Sequence, residues 1–175
     1  MDALKSYLPA GEGYLPWYMF GLSVIAVGNS LQNYLTLHYT RRFYNGRFIA
    51  NPSLGPQTPT FVPEDATNKL IPAGDVNLKP GSTTVDQVTP LAARLFATYT
   101  LISAIVRIYA SFHLDKEPVY MMAMWTYLVA LGHFISEGVV YRTFHITGPQ
   151  LFPLVLATVG TTWMVMQKDF YVHIY

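Results

Sequence analysis

The chain has 175 residues, of which 51% are hydrophobic, 15% aromatic and only 12% charged, with a net charge of +1 and no cysteine. A soluble domain carries about 25% charged residues, so this deficit points to a membrane protein, and the length allows one domain. The near-neutral balance excludes a basic field for nucleic acid, and the missing cysteine excludes disulfides, thiol catalysis, iron–sulfur clusters and cysteine zinc sites.

Residues 1–14 read as a short, mixed, interfacial lead-in without the features of a cleavable signal, so the first span is expected to serve as the targeting signal. Residues 15–37 are uncharged and long enough to cross a bilayer. Pro16 suits a first helical turn, while Tyr14, Trp17 and Tyr18 belong at one interface and Tyr34 and Tyr39 at the other. Gly21, Ser23, Gly28 and Ser30 are small enough to let a neighbouring helix approach. Residues 38–89 differ in kind. Arg41, Arg42 and Arg47 follow the span, and then come Pro52, Pro56, Pro59, Pro63, Pro72 and Pro80. That density of proline predicts a solvent-exposed loop, in which 60–62 and 83–85 are candidate paired strands.

Thr89-Pro90 is a helix start, a cap followed by a first-turn proline, and opens a span over 91–112 that carries Arg94 and Arg107. The polar turn 113–117 forces an antiparallel hairpin with a third span over 118–141, which is expected to be capped by Asp115 with Glu117 in its first turn. That third span is apolar except for His133 and Glu137, which are four apart and share one face. A fourth span covers 150–166, with Pro153 near its entrance, and an aromatic tail follows. The predicted fold is therefore all-α: a polytopic four-transmembrane-helix bundle with a long Pro-rich loop between helices 1 and 2. The arginine excess beside that loop places it in the cytosol and the termini in the lumen.

Two antiparallel helices joined near residue 115 place positions at equal depth when their numbers sum to about 231. Arg94 then lies level with Glu137, and Thr98 with His133. The first span brings Asn29 and Asn33 to the same half of the membrane. The predicted cluster is Asn29, Asn33, Arg94, Thr98, His133 and Glu137, with an Arg94–Glu137 salt bridge at its centre, while Arg107 is expected to snorkel to its own interface. As interhelical glue the cluster fixes the packing; as an acid/base or ligand site it would be functional. The glue reading has the greater weight, because every member has a partner at its own depth.

The chemistry of a cofactor enzyme is missing. None of the five histidines stands three or four from another, and the His133/Glu137 pair lacks further ligands nearby, so no metal is expected. No dinucleotide fingerprint, phosphate loop or nucleophile elbow occurs, so neither a cofactor nor a catalytic residue is predicted. The tyrosines and tryptophans read as belt and packing residues.

The runs LFATYTLISAIVRIYASF (95–112) and VYMMAMWTYLVALGHFISEGVVYRT (119–143) resemble the ergosterol biosynthetic protein 28 family. The likeness rests on Arg94-Leu95-Phe96 with Tyr99-Thr100-Leu101, on Arg107, on Trp125-Thr126-Tyr127, and on Ala130 to Phe134 with Ser136-Glu137. It leaves out the Pro-rich loop. The resemblance implies a multi-pass endoplasmic reticulum membrane protein without catalytic activity. It implies a scaffold that gathers the sterol C4-methyl oxidase, the decarboxylating sterol-4-carboxylate 3-dehydrogenase and the 3-ketosteroid reductase. Ala157, Gly160 and Thr161 on the fourth span, or Gly21 and Gly28 on the first, are then candidate docking stripes for a transmembrane helix of the oxidase. The competing reading is a membrane-embedded sterol isomerase-like enzyme with Glu137 and His133 as its proton donor–acceptor pair.

Overall fold

The computed structural model describes residues 8–54, 69–75, 83–146 and 148–172. The chain is mostly helical. Its elements are α1 (Leu15–Leu35), α2 (His38–Phe43), β1 (Phe48–Ala50), β2 (Leu70–Pro72), α3 (Pro90–Ser111), α4 (Glu117–Ile135), α5 (Gly148–Met166) and α6 (Lys168–Tyr171).

The helix starts follow local chemistry. Thr89 caps α3, its Oγ1 accepting from the Ala92 N–H at 3.1 Å, and Pro90 follows in the first turn. The expected Asp115 cap on α4 does not form. The helix begins at Glu117, so Lys116 holds the cap position without a side-chain bond, and Asp115 is one residue too early to reach the free N–H groups. Glu117 is in the first turn and pairs instead with Lys168 at 2.6 Å, an exposed contact that ties the start of α4 to α6. At its other end α4 runs on as a π turn over Ser136–Val140, in which the Tyr141 N–H reaches back to the Ser136 carbonyl at 2.9 Å. Arg142, at φ 53°, then turns the chain out of the helix.

Among the described residues two helices are long and apolar enough to cross a membrane, Pro90–Ser111 and the α4 unit Glu117–Val140. Only 28% of either apolar window is buried inside the protein. A core helix of a soluble protein would be mostly covered, so these apolar faces, left open by the rest of the chain, suit a membrane protein.

Helix α1 packs along α3 more extensively than any other pair of elements, and α4 packs on both α5 and α3. The buried positions explain the closeness of the first pair. Ser23 and Ser30 are buried on α1, and Ala93, Ala97, Ala104, Ala110 and Ser111 on α3. Small side chains let two backbones approach, and the serine hydroxyls are satisfied within their own helix by the carbonyls of Met19 and Ala26. Bulk fills the opposite seam: Tyr120 and Tyr127 of α4 and Met164 of α5 are fully buried, and the Tyr120 hydroxyl donates to the Met164 carbonyl at 2.7 Å.

The segment expected to be loop from residue 38 is partly built into the bundle. Helix α2 sits before the first proline, so nothing forbids it, and it buries Thr40 and Phe43. β1 pairs antiparallel with β2, Phe48 opposite Pro72, and Phe48 also bridges Val85. Of the predicted strand segments, 83–85 thus contributes one bridge at Val85, and 60–62 lies outside the described residues. The strand and α2 are held to the end of α4 at Gly46, whose N–H donates to the Thr143 carbonyl at 2.8 Å. A Cβ at Gly46 would stand 2.6 Å from the Arg142 carbonyl oxygen, so only glycine allows this approach.

Candidate functional site

The six residues of the predicted cluster do not meet as one group. Asn29 and Asn33 do share a face: the Asn33 side-chain amide donates to Asn29 Oδ1 at 3.3 Å. The buried Thr40 of α2 donates to Asn33 Oδ1 at 2.7 Å, so this pair anchors α2 to α1. Arg94 and Thr98 are exposed on α3. Thr98 shares a 2.6 Å hydrogen bond with Tyr34 of α1. Among the described residues no ion pair joins Arg94 to Glu137; the carboxylate instead accepts from Thr143 Oγ1 at 2.7 Å.

The correction has a geometric cause. Number sums fix depth and say nothing about rotation about the helix axis. At the depth of His133, α3 presents Phe96 and Tyr99, with ring centroids 6.4 and 6.3 Å from the imidazole. Arg94 and Thr98 are each about 200° round the helix from Phe96, on the other side. The two arginines therefore exchange the expected roles. Arg94 looks outward near its end of α3, and Arg107 turns into the bundle.

Two cavities flank the Phe96–Tyr99 wall. One, of about 420 Å³, is lined by Thr40, Tyr44, His133, Glu137 and Thr143 among others. In it the Tyr44 hydroxyl and His133 Nε2 are 2.7 Å apart. Burial, and after it the Glu137 carboxylate, push the Tyr44 phenol pKa up, so this group stays protonated and can donate. Each acid/base candidate here thus has a partner on a neighbouring segment, supplied by the two stretches that flank α2 and α4.

The second cavity, of about 370 Å³, lies between α1, α3, α4 and α5. Its wall is largely apolar, from Leu22 and Ile25 to Phe134, Phe152 and Leu156, with Asn29 and Gln32 towards one end and Arg107 towards the other. Arg107 is only 8% exposed. Its Nε–H donates to Thr126 Oγ1 at 2.8 Å and Nη2 to the Thr126 carbonyl at 3.0 Å, and its guanidinium carbon lies 3.9 Å above the Tyr127 ring. The depth rule contained this contact, since 107 and 126 sum to within two of the hairpin value. The expectation of snorkelling failed because Thr126 and the face of Tyr127 offer the guanidinium closer partners than the interface does. Tyr99 and Tyr127 line the same cavity; the Tyr99 hydroxyl has Ser103 beside it, and the buried Tyr127 hydroxyl has no hydrogen-bond partner.

The small residues divide as well. Gly21 and Gly28 are exposed, with nothing near the position of a Cβ. On α5, Ala157 is buried and Thr161 has a buried, unpartnered hydroxyl. Gly160 lies flat against Tyr127, where a Cβ would come within 2.6 Å of the ring. That stripe is used within the bundle and is not an open docking face. Among the described residues no group of three or more histidines and acids is placed to hold a metal ion.

Comparison with known proteins accords with the geometry. The family model described as Erg28 like protein matches residues 15–162, which takes in all four long helices almost to the end of α5. The chain belongs to the Erg28 family. The ergosterol biosynthetic protein 28 of Gibberella zeae is 55% identical over 172 residues, 98% of each chain. That of Candida albicans is 31% identical over 170 residues, 97% of this chain and 96% of its own. The human Erg28 homologue aligns more narrowly, 37% identical over 79 residues, 45% of this chain and 56% of its own. No solved structure matches the chain. An Erg28 relative this similar along its whole length places the chain in ergosterol biosynthesis.

Proposed function

We propose that the chain is a non-catalytic scaffold of the endoplasmic reticulum membrane. It spans the bilayer four times and tethers the enzymes of sterol C4-demethylation: the C4-methyl oxidase, the sterol-4-carboxylate 3-dehydrogenase and the 3-ketosteroid reductase. The observation that carries this reading is the outward apolar surface. All four long helices expose large aliphatic or aromatic side chains, among them Val24, Leu31 and Leu35 on α1 and Leu151, Val155 and Val165 on α5. At 1.5 Å per residue α1 and α5 reach roughly 31 and 28 Å, close to the hydrocarbon thickness. Such a surface can hold partner helices side by side and so raise the local concentration of sequential enzymes. Family membership supports the pathway.

The test is co-purification of the tagged chain in mild detergent with mass spectrometry of what accompanies it, beside an assay of the purified chain on a 4-methylsterol. The expected result is recovery of the three enzymes and an unchanged sterol. Turnover by the pure chain would overturn the reading. The isomerase-like alternative is favoured by one fact, that His133 and Glu137 line a common cavity. It predicts that Glu137→Gln abolishes a sterol reaction while partner recovery persists.

A further inference from the structure

A guanidinium buried among apolar helices is costly unless its charge and its N–H donors are answered. Arg107 is the charged group of the interhelical cavity, and among the described residues no carboxylate pairs with it. The neutral phenols of Tyr99 and Tyr127 share the cavity wall with it, the Tyr127 ring lying 3.9 Å beneath its guanidinium carbon. Thr126 takes one N–H from Nε and one from Nη2, and among the described residues the other guanidinium N–H groups find no acceptor. A further donor stands unanswered on the same wall: Tyr127 is 0% exposed and its hydroxyl is unpartnered, while the Tyr99 hydroxyl has only Ser103 beside it. A buried donor without an acceptor is costly, and a buried cation more so. One bound anion would answer all of them.

The rest of the cavity sets what carries the anion. Its volume of about 370 Å³ falls in the range of ligand sites. Its lining along α3 runs from Phe96 to Arg107, a length of roughly 16 Å. Most of that length is apolar. The donor set matches a carboxylate: about four lone-pair positions on two oxygens, against a forked pair of guanidinium N–H groups and two phenols. We propose that this cavity binds an apolar lipid bearing one carboxylate, which pairs with Arg107 and accepts hydrogen bonds from Tyr127 and Tyr99. The site is independent of the tethering reading; its ligand body is either a sterol ring system or an acyl chain, and the experiment separates them.

The measurement is binding to the full chain in phosphatidylcholine nanodiscs, followed by protein fluorescence and by ligand-induced thermal shift. The probes are a sterol acid (cholesteryl hemisuccinate), oleate, and their neutral counterparts cholesterol and oleyl alcohol. At least one acid is expected to bind at least tenfold more tightly than its neutral counterpart. Preference for the sterol acid over oleate identifies a ring-bearing ligand, and the reverse an acyl chain; either supports the site. Arg107→Gln is expected to abolish the preference for acid over alcohol. Should that variant fail to fold, Tyr127→Phe tests the same site, since it keeps the ring against Gly160 and removes only the hydroxyl. It is expected to weaken acid binding severalfold and leave the alcohols unchanged. Equal binding of acids and alcohols, no binding of any probe, or acid binding unaltered by Tyr127→Phe with Tyr99→Phe would overturn the proposal.

Discussion

At the scale of single residues, the packing of Gly160 against Tyr127 and the openness of Gly21 give opposite expectations for one substitution. Gly160→Leu must displace a fully buried ring that also lies beneath the Arg107 guanidinium. Overpacking of this kind costs about 1–3 kcal/mol, and here also disturbs a buried cation. Gly21→Leu adds bulk where nothing stands within contact, and helix propensity favours leucine over glycine. The expected outcome in detergent extracts, read by size-exclusion chromatography, is loss of folded protein for Gly160→Leu and full recovery for Gly21→Leu. Co-purification of the oxidase with Gly21→Leu then reports whether docking uses that face. The spacing of Ala157, Gly160 and Thr161 made them a stripe, yet spacing does not say whether a stripe is covered. What covers Gly160 is the ring of Tyr127, on the preceding long helix, which residue type alone could not assign.

At the scale of elements, the hairpin of α3 and α4 was legible and its rotation was not. Equal rise per residue fixed which side chains share a depth, and Arg107 meeting Thr126 follows from it. Which side of α3 faces α4 depends on packing of small against large residues, so Phe96 and Tyr99 replaced Arg94 and Thr98 beside His133. Helix α2 was hidden by the prolines that follow it. Its docking rests on a long-range contact with no local signature: Gln150 of α5 donates through Nε2 to the carbonyls of Arg42 and Phe43 at 2.9 and 2.8 Å. Gln150→Leu leaves those carbonyls without that donor, at about 1–3 kcal/mol for a buried acceptor. The expected outcome is faster trypsin cleavage at Arg41 and Arg42, with the long helices still folded. A second expectation concerns the Pro-rich stretch. Deleting residues 51–79 removes β2 but spares the Phe48–Val85 bridge and every long helix. Folded, membrane-inserted protein is expected; its loss would show that β2 is needed for the bundle to form.

At the scale of the whole molecule, topology is the quantity to measure. The four crossings proposed above would place the lead-in and α6 on one side of the membrane and Arg47 on the other. The absence of native cysteine makes single-cysteine labelling clean. An impermeant maleimide applied to sealed vesicles is expected to treat Gly11→Cys and Lys168→Cys alike and Arg47→Cys oppositely. Labelling of Gly11→Cys and Lys168→Cys from opposite sides would leave only an odd number of crossings. The seating of Leu15 on Tyr171, whose hydroxyl accepts from the Leu15 N–H at 3.2 Å, adds a practical warning. Halves of a split fluorescent reporter attached ahead of α1 and behind α6 would find each other inside one copy. Light from such a doubly tagged chain would say nothing about self-association, whereas resonance energy transfer between the same two positions would serve as a gauge of whether a single molecule is folded.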